Sequence, residues 1–281
     1  MAKYPIYGYE KPYLEEIKKE ISEYADEIYY DDFDNLCVVK NSNITNENTE
    51  CILLGICVSE NAFLISDVCD NANIELSPLM KADDSIFGKR IVTLNGKTGI
   101  IKGTSKKPLG DFGYNDKKTA LKYIKPGDVC CIKPFIEQMG DSYITNCPSL
   151  LLKNIFVSLI KEYYNKKIIF AFLREAKKGV YALGKHEQTS CDKAYFVNVS
   201  EEATSNVSFV KKEGSFISPL LAENIPACIT EKDVTNEGQF YLSGKCEKTG
   251  GIVIKCEILP DKSYKVTKKA TEEFKALAIK L

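Results

Sequence analysis

One carboxylate and one histidine frame the chemistry open to this chain. Glu175 follows the apolar run "IIFAFL" at 168–173. A carboxylate delivered at the end of a buried strand is a common way to present a general acid or base. The competing reading is a solvated surface carboxylate, because Arg174, Lys177 and Lys178 surround it. His186 is the only histidine among 281 residues, so any Ser–His–Asp or Cys–His arrangement must use it. It lies in the polar stretch "LGKHEQTS" and reads as an exposed side chain. Cys147 stands where a helix is predicted to start. The helix dipole would there lower its pKa and make it a nucleophile, yet no histidine is near it in sequence. Cys130 and Cys131 are adjacent in a predicted strand, point to opposite faces and make a poor chelating pair. The eleven cysteines show no CxxC spacing and sit mostly in apolar runs such as "NLCVVK". They are expected to be core thiols that pack as small hydrophobes.

The elements that must position these residues alternate in type. Apolar residues at Tyr13, Leu14, Ile17, Ile21, Tyr24 and Ile28 predict a helix over 12–28. Strands are predicted at 35–40, 51–58 and 62–68. From about 71 to 134 no long helix is indicated. "GKRIVTLNGKTGIIKG" (88–103) has the pattern of a hairpin turning at Asn95-Gly96, and "KPGDVCCIKP" puts a turn before another strand. Short strands with frequent Gly and Pro predict a small β-barrel. Beyond it come a helix over 146–165 with Pro148 in its first turn, strands at 167–173, 193–200 and 250–259, and a closing helix at 270–281. The expected fold class is α/β: a mixed, largely parallel sheet between helical layers, with an inserted small β-barrel domain. Residues 1–70 and 135–281 are expected to form the α/β domain, and 71–134 the barrel. Formal net charge is −1 with signs interspersed, which argues against a nucleic-acid partner. The apolar runs are too short for a bilayer and the first residues do not resemble a signal peptide, so no membrane association and a cytoplasmic location are expected.

Four scaffold segments carry a resemblance. "YGYEKPYLEEIKKEI" is similar to a G-Y-E-x-x-[VI] opening helix, and "DDFDNLCVVK" to a D-x-x-G-N-L strand. "FGKRIVTLNGKTGIIKGTSKKP" and "YIKPGDVCCI" are similar to barrel strands with G-x-I-G-x-x-P and a G-D turn. Together and in order they resemble the dinuclear metal aminopeptidases called deblocking, glutamyl or tetrahedral aminopeptidases, also labelled cellulase M. The likeness runs over nearly the whole chain.

The resemblance implies two divalent ions sharing an aspartate, each with a histidine and a carboxylate, and a further glutamate that activates water. The family's first histidine should fall near "LLGICVSEN", which has none. Its bridging aspartate, in D-[DN]-R, falls on Thr145 or Asn146 of "ITNCP". Its Q-E-E-x-G motif falls on "REAKKG", so Glu175 takes the water-activating position and Ala176 a ligand position. Asn198 of "VNVS" replaces an aspartate, and "ILPDKSYKV" offers Pro260 where the last histidine belongs. The resemblance therefore implies a catalytically inactive homologue, a pseudoenzyme with a binding or assembly role and no metal. The alternative is an active aminopeptidase with rearranged ligands and bound zinc, cobalt or manganese. The expected partners are further copies of the chain, through the barrel, and a peptide in the old cleft.

Overall fold

"KIIFAFL" at 167–173 is the spine of the molecule, and its burial explains its composition. In the computed structural model of the chain, the described residues are 4–41, 50–60, 62–79, 86–104, 106–177, 180–182, 191–201, 203–210, 239–241 and 248–281. The chain divides into two units. One comprises the residues up to Tyr13 with Ser59–Pro134, the other Leu14–Val58 with Phe135–Leu281.

The larger unit is built on a seven-stranded sheet. Its order is β1 (Glu27–Tyr30), β2 (Leu36–Lys40), β12 (Lys167–Leu173), β3 (Cys51–Cys57), β15 (Lys193–Ser200), β18 (Lys248–Lys255) and β16 (Val207–Val210). The four central strands β12, β3, β15 and β18 are parallel, while β1, β2 and β16 join by antiparallel pairing. Six of the seven β12 residues are buried, so its apolar residues run continuously instead of alternating, as expected of a strand covered on both faces. On one face Phe156 of helix α3 (Pro148–Ile160) meets Phe170 and Phe172 edge-on, with ring centroids 5.4 and 5.9 Å apart. The other face packs Val39, Leu53, Ile169, Ala171 and Phe196 into a second cluster. Helix α4 (Lys268–Lys280) is capped by the Thr267 hydroxyl, which accepts from the Ala270 N–H at 3.1 Å. Two small sheets complete the unit. One has the order β10 (Ile136–Met139), β11 (Ser142–Thr145), β20 (Tyr264–Thr267), β19 (Glu257–Ile258). The other runs β13 (Glu175–Lys177), β14 (Val180–Ala182), β17 (Gln239–Tyr241).

The smaller unit holds a closed barrel. Its strands run β4 (Ala62–Val68), β5 (Ile74–Pro78), β8 (Lys107–Asp111), β7 (Thr98–Thr104), β6 (Arg90–Thr93), β9 (Val129–Ile132) and back to β4. Phe63, Ile65, Ile74, Leu76, Ile91, Ile101 and Cys130 fill it, together with Ala120 of the one-turn helix α2 (Lys117–Ala120). The β6–β7 turn contains Gly96 at φ 78°, and the Gly96 N–H donates to the Thr93 carbonyl at 2.8 Å, so Asn95-Gly96 does mark the hairpin. Closure removes the exposed strand edges.

Two expectations need correction. The barrel takes in 62–68, which the sequence pattern assigned to the α/β part. The buried, alternating Phe63 and Ile65 face the barrel core, so this strand pairs with β5 and β9 and not with the large sheet. The helix expected over 12–28 is α1 (Lys11–Ile21) and stops there. Residues Glu27–Tyr30 instead pair with β2, because β-branched and aromatic side chains suit the sheet and long-range pairing overrides helical spacing.

Candidate functional site

In a parallel α/β sheet, ligands gather beyond the carboxyl ends of the strands. Here those ends are Leu173 of β12, Cys57 of β3 and the last residues of β15. Leu173 and Cys57 are direct neighbours in the β12–β3 register, and the Val58 N–H donates to the Leu173 carbonyl at 2.9 Å. Asn198 lies two residues past the last β15–β3 pair, Phe196↔Gly55, as Cys57 does on its own strand.

The exit of β12 is held by a polar network. The Arg174 N–H donates to Asn35 Oδ1 at 2.8 Å, and its guanidinium pairs with Asp34 at 3.0 Å. Asn35 is fully buried; its amide donates to Asp31 Oδ2 at 2.8 Å and its N–H to Asp31 Oδ1 at 2.9 Å. Asp34 occupies the glycine position of the D-x-x-G-N-L pattern and has φ 59°. This network fixes the residue before Glu175. The motif was legible as a scaffold, but not as the clamp on β12.

Glu175 opens β13, paired with Tyr181, and the register shift before Lys177 leaves Ala176 in a β-bulge. Their side chains lie outside the described residues, as does His186. Asn198 sits in β15 opposite Val253, and its Oδ1 accepts from the Val199 N–H at 2.8 Å. Thr145 ends β11 fully buried. Its hydroxyl donates to the Phe135 carbonyl at 2.6 Å and accepts from the Cys147 N–H at 3.0 Å. The half-buried Asn146 accepts from the Phe135 N–H at 2.9 Å through its Oδ1. Pro260 is exposed in the turn between β19 and β20. In register, Thr145 pairs with Tyr264, which pairs with Ile258, so Pro260 lies in a turn of the small sheet that holds Thr145. The candidate positions thus fall on or next to three sheets: Thr145, Asn146 and Pro260 at one small sheet, Glu175 and Ala176 on the other, and Asn198 on the largest.

Cys147 is the N-cap of α3, as its position before Pro148 predicts. It is 1% exposed, with its sulfur 3.2 Å from the Ser149 hydroxyl oxygen. Burial corrects the expectation of a nucleophile, since a substrate cannot reach this sulfur. The thiols of the barrel are equally sequestered: burial pushes Cys130 up to about 12, and Cys131 is raised well above its ordinary value, first by burial. Among the described residues, no three His, Cys, Asp or Glu side chains come together as metal ligands could. Nor is any helix among them long and apolar enough to cross a membrane.

No family model matches the chain, and no curated protein matches it. Solved structures do. An aminopeptidase from the archaeon Desulfurococcus kamchatkensis is similar with a TM-score of 0.77 at 16% identity, over 99% of this chain and 90% of that one. An endoglucanase from Thermotoga maritima is similar with a TM-score of 0.76 at 16% identity, over 98% and 93%. A TET1 peptidase from Pyrococcus horikoshii, which can assemble into a tetrahedron or a large octahedral shell, is similar with a TM-score of 0.67 at 20% identity, over 99% and 94%. The chain therefore has the fold that its scaffold segments resemble, a mixed sheet with helices and a closed antiparallel barrel.

Proposed function

We propose that this protein carries the fold of a dinuclear metal aminopeptidase without its metal centre, and acts by binding or assembly rather than by hydrolysis. The observation that carries the reading is the state of the side chains at the positions matching the family's ligands. Thr145, Asn146 and Asn198 offer neutral oxygens, and each is engaged with the backbone of its own chain. Ala176 and Pro260 offer no donor atom. Such a set does not fit two divalent cations. Closely spaced double charges repel, and it is carboxylates that offset the repulsion. Glu175 keeps the position of the water-activating carboxylate. With no metal-bound water beside it, it is a vestige.

Assembly is the second part of the proposal. One structural relative builds tetrahedral or octahedral shells. A closed, well-filled barrel in a chain with a degenerate ligand set supports a homo-oligomer formed through the barrel, with a peptide as a candidate ligand of the old cleft. The alternative, an active aminopeptidase with rearranged ligands, is separated by one assay. Purified full-length protein is incubated with short peptides in the presence of zinc, cobalt or manganese, with and without chelator. No release of N-terminal residues is expected, in wild type or in Glu175→Gln. Chelator-sensitive release that Glu175→Gln abolishes would establish the alternative.

A further inference from the structure

At the opposite, amino-terminal end of the parallel strands, two cysteines far apart in sequence meet. Cys51 is the first residue of β3, and Cys191 lies two residues before β15, the strand beside it. Their sulfurs are 3.8 Å apart. The backbone on both sides is clamped: the Cys51 N–H donates to the Asp192 carboxylate at 2.7 Å, and the Asp192 N–H donates to the Cys51 carbonyl at 2.8 Å. We propose that Cys51 and Cys191 form a redox-responsive pair, converted by a peroxide-class oxidant into a disulfide that locks β3 to the entrance of β15.

The sulfurs need close by only roughly 2 Å to reach bonding distance, and the clamp holds both main chains while they do. Cys51 is held below the ordinary thiol value. The side-chain hydrogen bond with Cys191 is the main cause, helped by the charge of Lys167, while burial and Asp192 oppose it. Three other buried thiols differ: burial is the first cause that raises Cys130, Cys131 and Cys256. Cys51 and Cys191 are 4% and 5% exposed, which favours a small neutral oxidant over a bulky disulfide.

The Cys51 thiolate attacks one peroxide oxygen and the O–O bond breaks. The leaving hydroxide takes up the thiol's proton as water, leaving a sulfenic acid at Cys51. The Cys191 sulfur then attacks the Cys51 sulfur, the S–O bond breaks, and the departing hydroxide leaves as water with the Cys191 proton. Two thiols lose two electrons and two protons, and peroxide becomes two waters.

The test uses the full chain, reduced, desalted and treated with hydrogen peroxide, then alkylated in denaturant, digested and weighed by mass spectrometry. We expect a Cys51–Cys191 linked peptide as the main oxidised species, reversed by dithiothreitol, with Cys130 and Cys131 alkylated throughout. The oxidised protein should melt on the order of 10 °C higher, because the bond closes a long loop, and Cys51→Ser should lose both effects. Cys51 and Cys191 remaining alkylatable after peroxide, or linked to other cysteines, would overturn the proposal. The wild-type digest decides this even if the variant does not fold.

Discussion

The two ends of the parallel strands carry different chemistry. At the amino-terminal end lie charged and thiol groups engaged with one another. Glu50 is paired with Lys166 at 3.0 Å and also with Lys193, and Cys51 faces Cys191. At the carboxyl end an ion pair and a buried amide hold the exit of β12, and the proposed ligand-matching positions, there and on the small sheets, carry amides, a hydroxyl, alanine and proline. Those whose contacts are described bond to their own backbone. On the proposed reading, the contrast shows how a fold can outlast a site. Backbone pairing and aromatic packing depend on apolar residues that remain, whereas a metal centre depends on a few donors with no role in the core.

The contrast can be broken or sharpened by mutation. The largest effect is expected at Asn35, whose carboxamide joins Asp31 to the Arg174 N–H inside the protein. Asn35→Ala should cost about 3 kcal/mol in urea denaturation, because several part-buried hydrogen bonds are lost at once. A cost below about 0.5 kcal/mol would mean the clamp on β12 is dispensable. Thr145→Val should cost about 2 kcal/mol, since it strands the Phe135 carbonyl and the Cys147 N–H, while Thr145→Ser should restore most of it. That pattern would show the position to be structural.

A smaller, pH-dependent effect is expected at the other end. Burial alone would raise the Glu50 carboxyl, but hydrogen bonds from Lys193 and Lys166 outweigh it and hold it below its ordinary value of 4.5. A lowered carboxyl stabilises the folded state above its ordinary value and loses that contribution as pH falls through the lowered one. Glu50→Gln should therefore flatten the acid side of the stability profile and leave its slope above neutrality unchanged. The pairs are partly exposed, so the effect is modest. Smallest of all is Asn198→Asp. A carboxylate can still accept from the Val199 N–H, so stability should stay within about 0.5 kcal/mol, and calorimetric titration with zinc should show no binding.

Much of the fold was legible because its signals are local. β12 and β15 occupy the residues that their continuous apolar runs predict, 167–173 and 193–200. The Asn95-Gly96 turn fixed the β6–β7 hairpin. Features set by distant pairing were not legible. Nothing local distinguishes 62–68 as a barrel strand, or 27–30 as the partner of β2 instead of a helical turn. The proposed loss of the ligand set rests on the resemblance of short segments to the family's motifs, and not on any spacing within the chain. That Thr145 and Asn146 secure the Phe135 backbone, or that Cys147 is sealed from solvent, follows from packing that no spacing encodes. Cys51 and Cys191 are 140 residues apart, so their meeting is a property of strand order alone.

The most direct test of the central claim is metal content. Full-length protein, stripped with chelator and dialysed against zinc, cobalt or manganese, would be washed and measured by plasma mass spectrometry. We expect well below one metal ion per chain in each case. Two ions per chain, lost again in Asn198→Ala, would mean that the old centre survives.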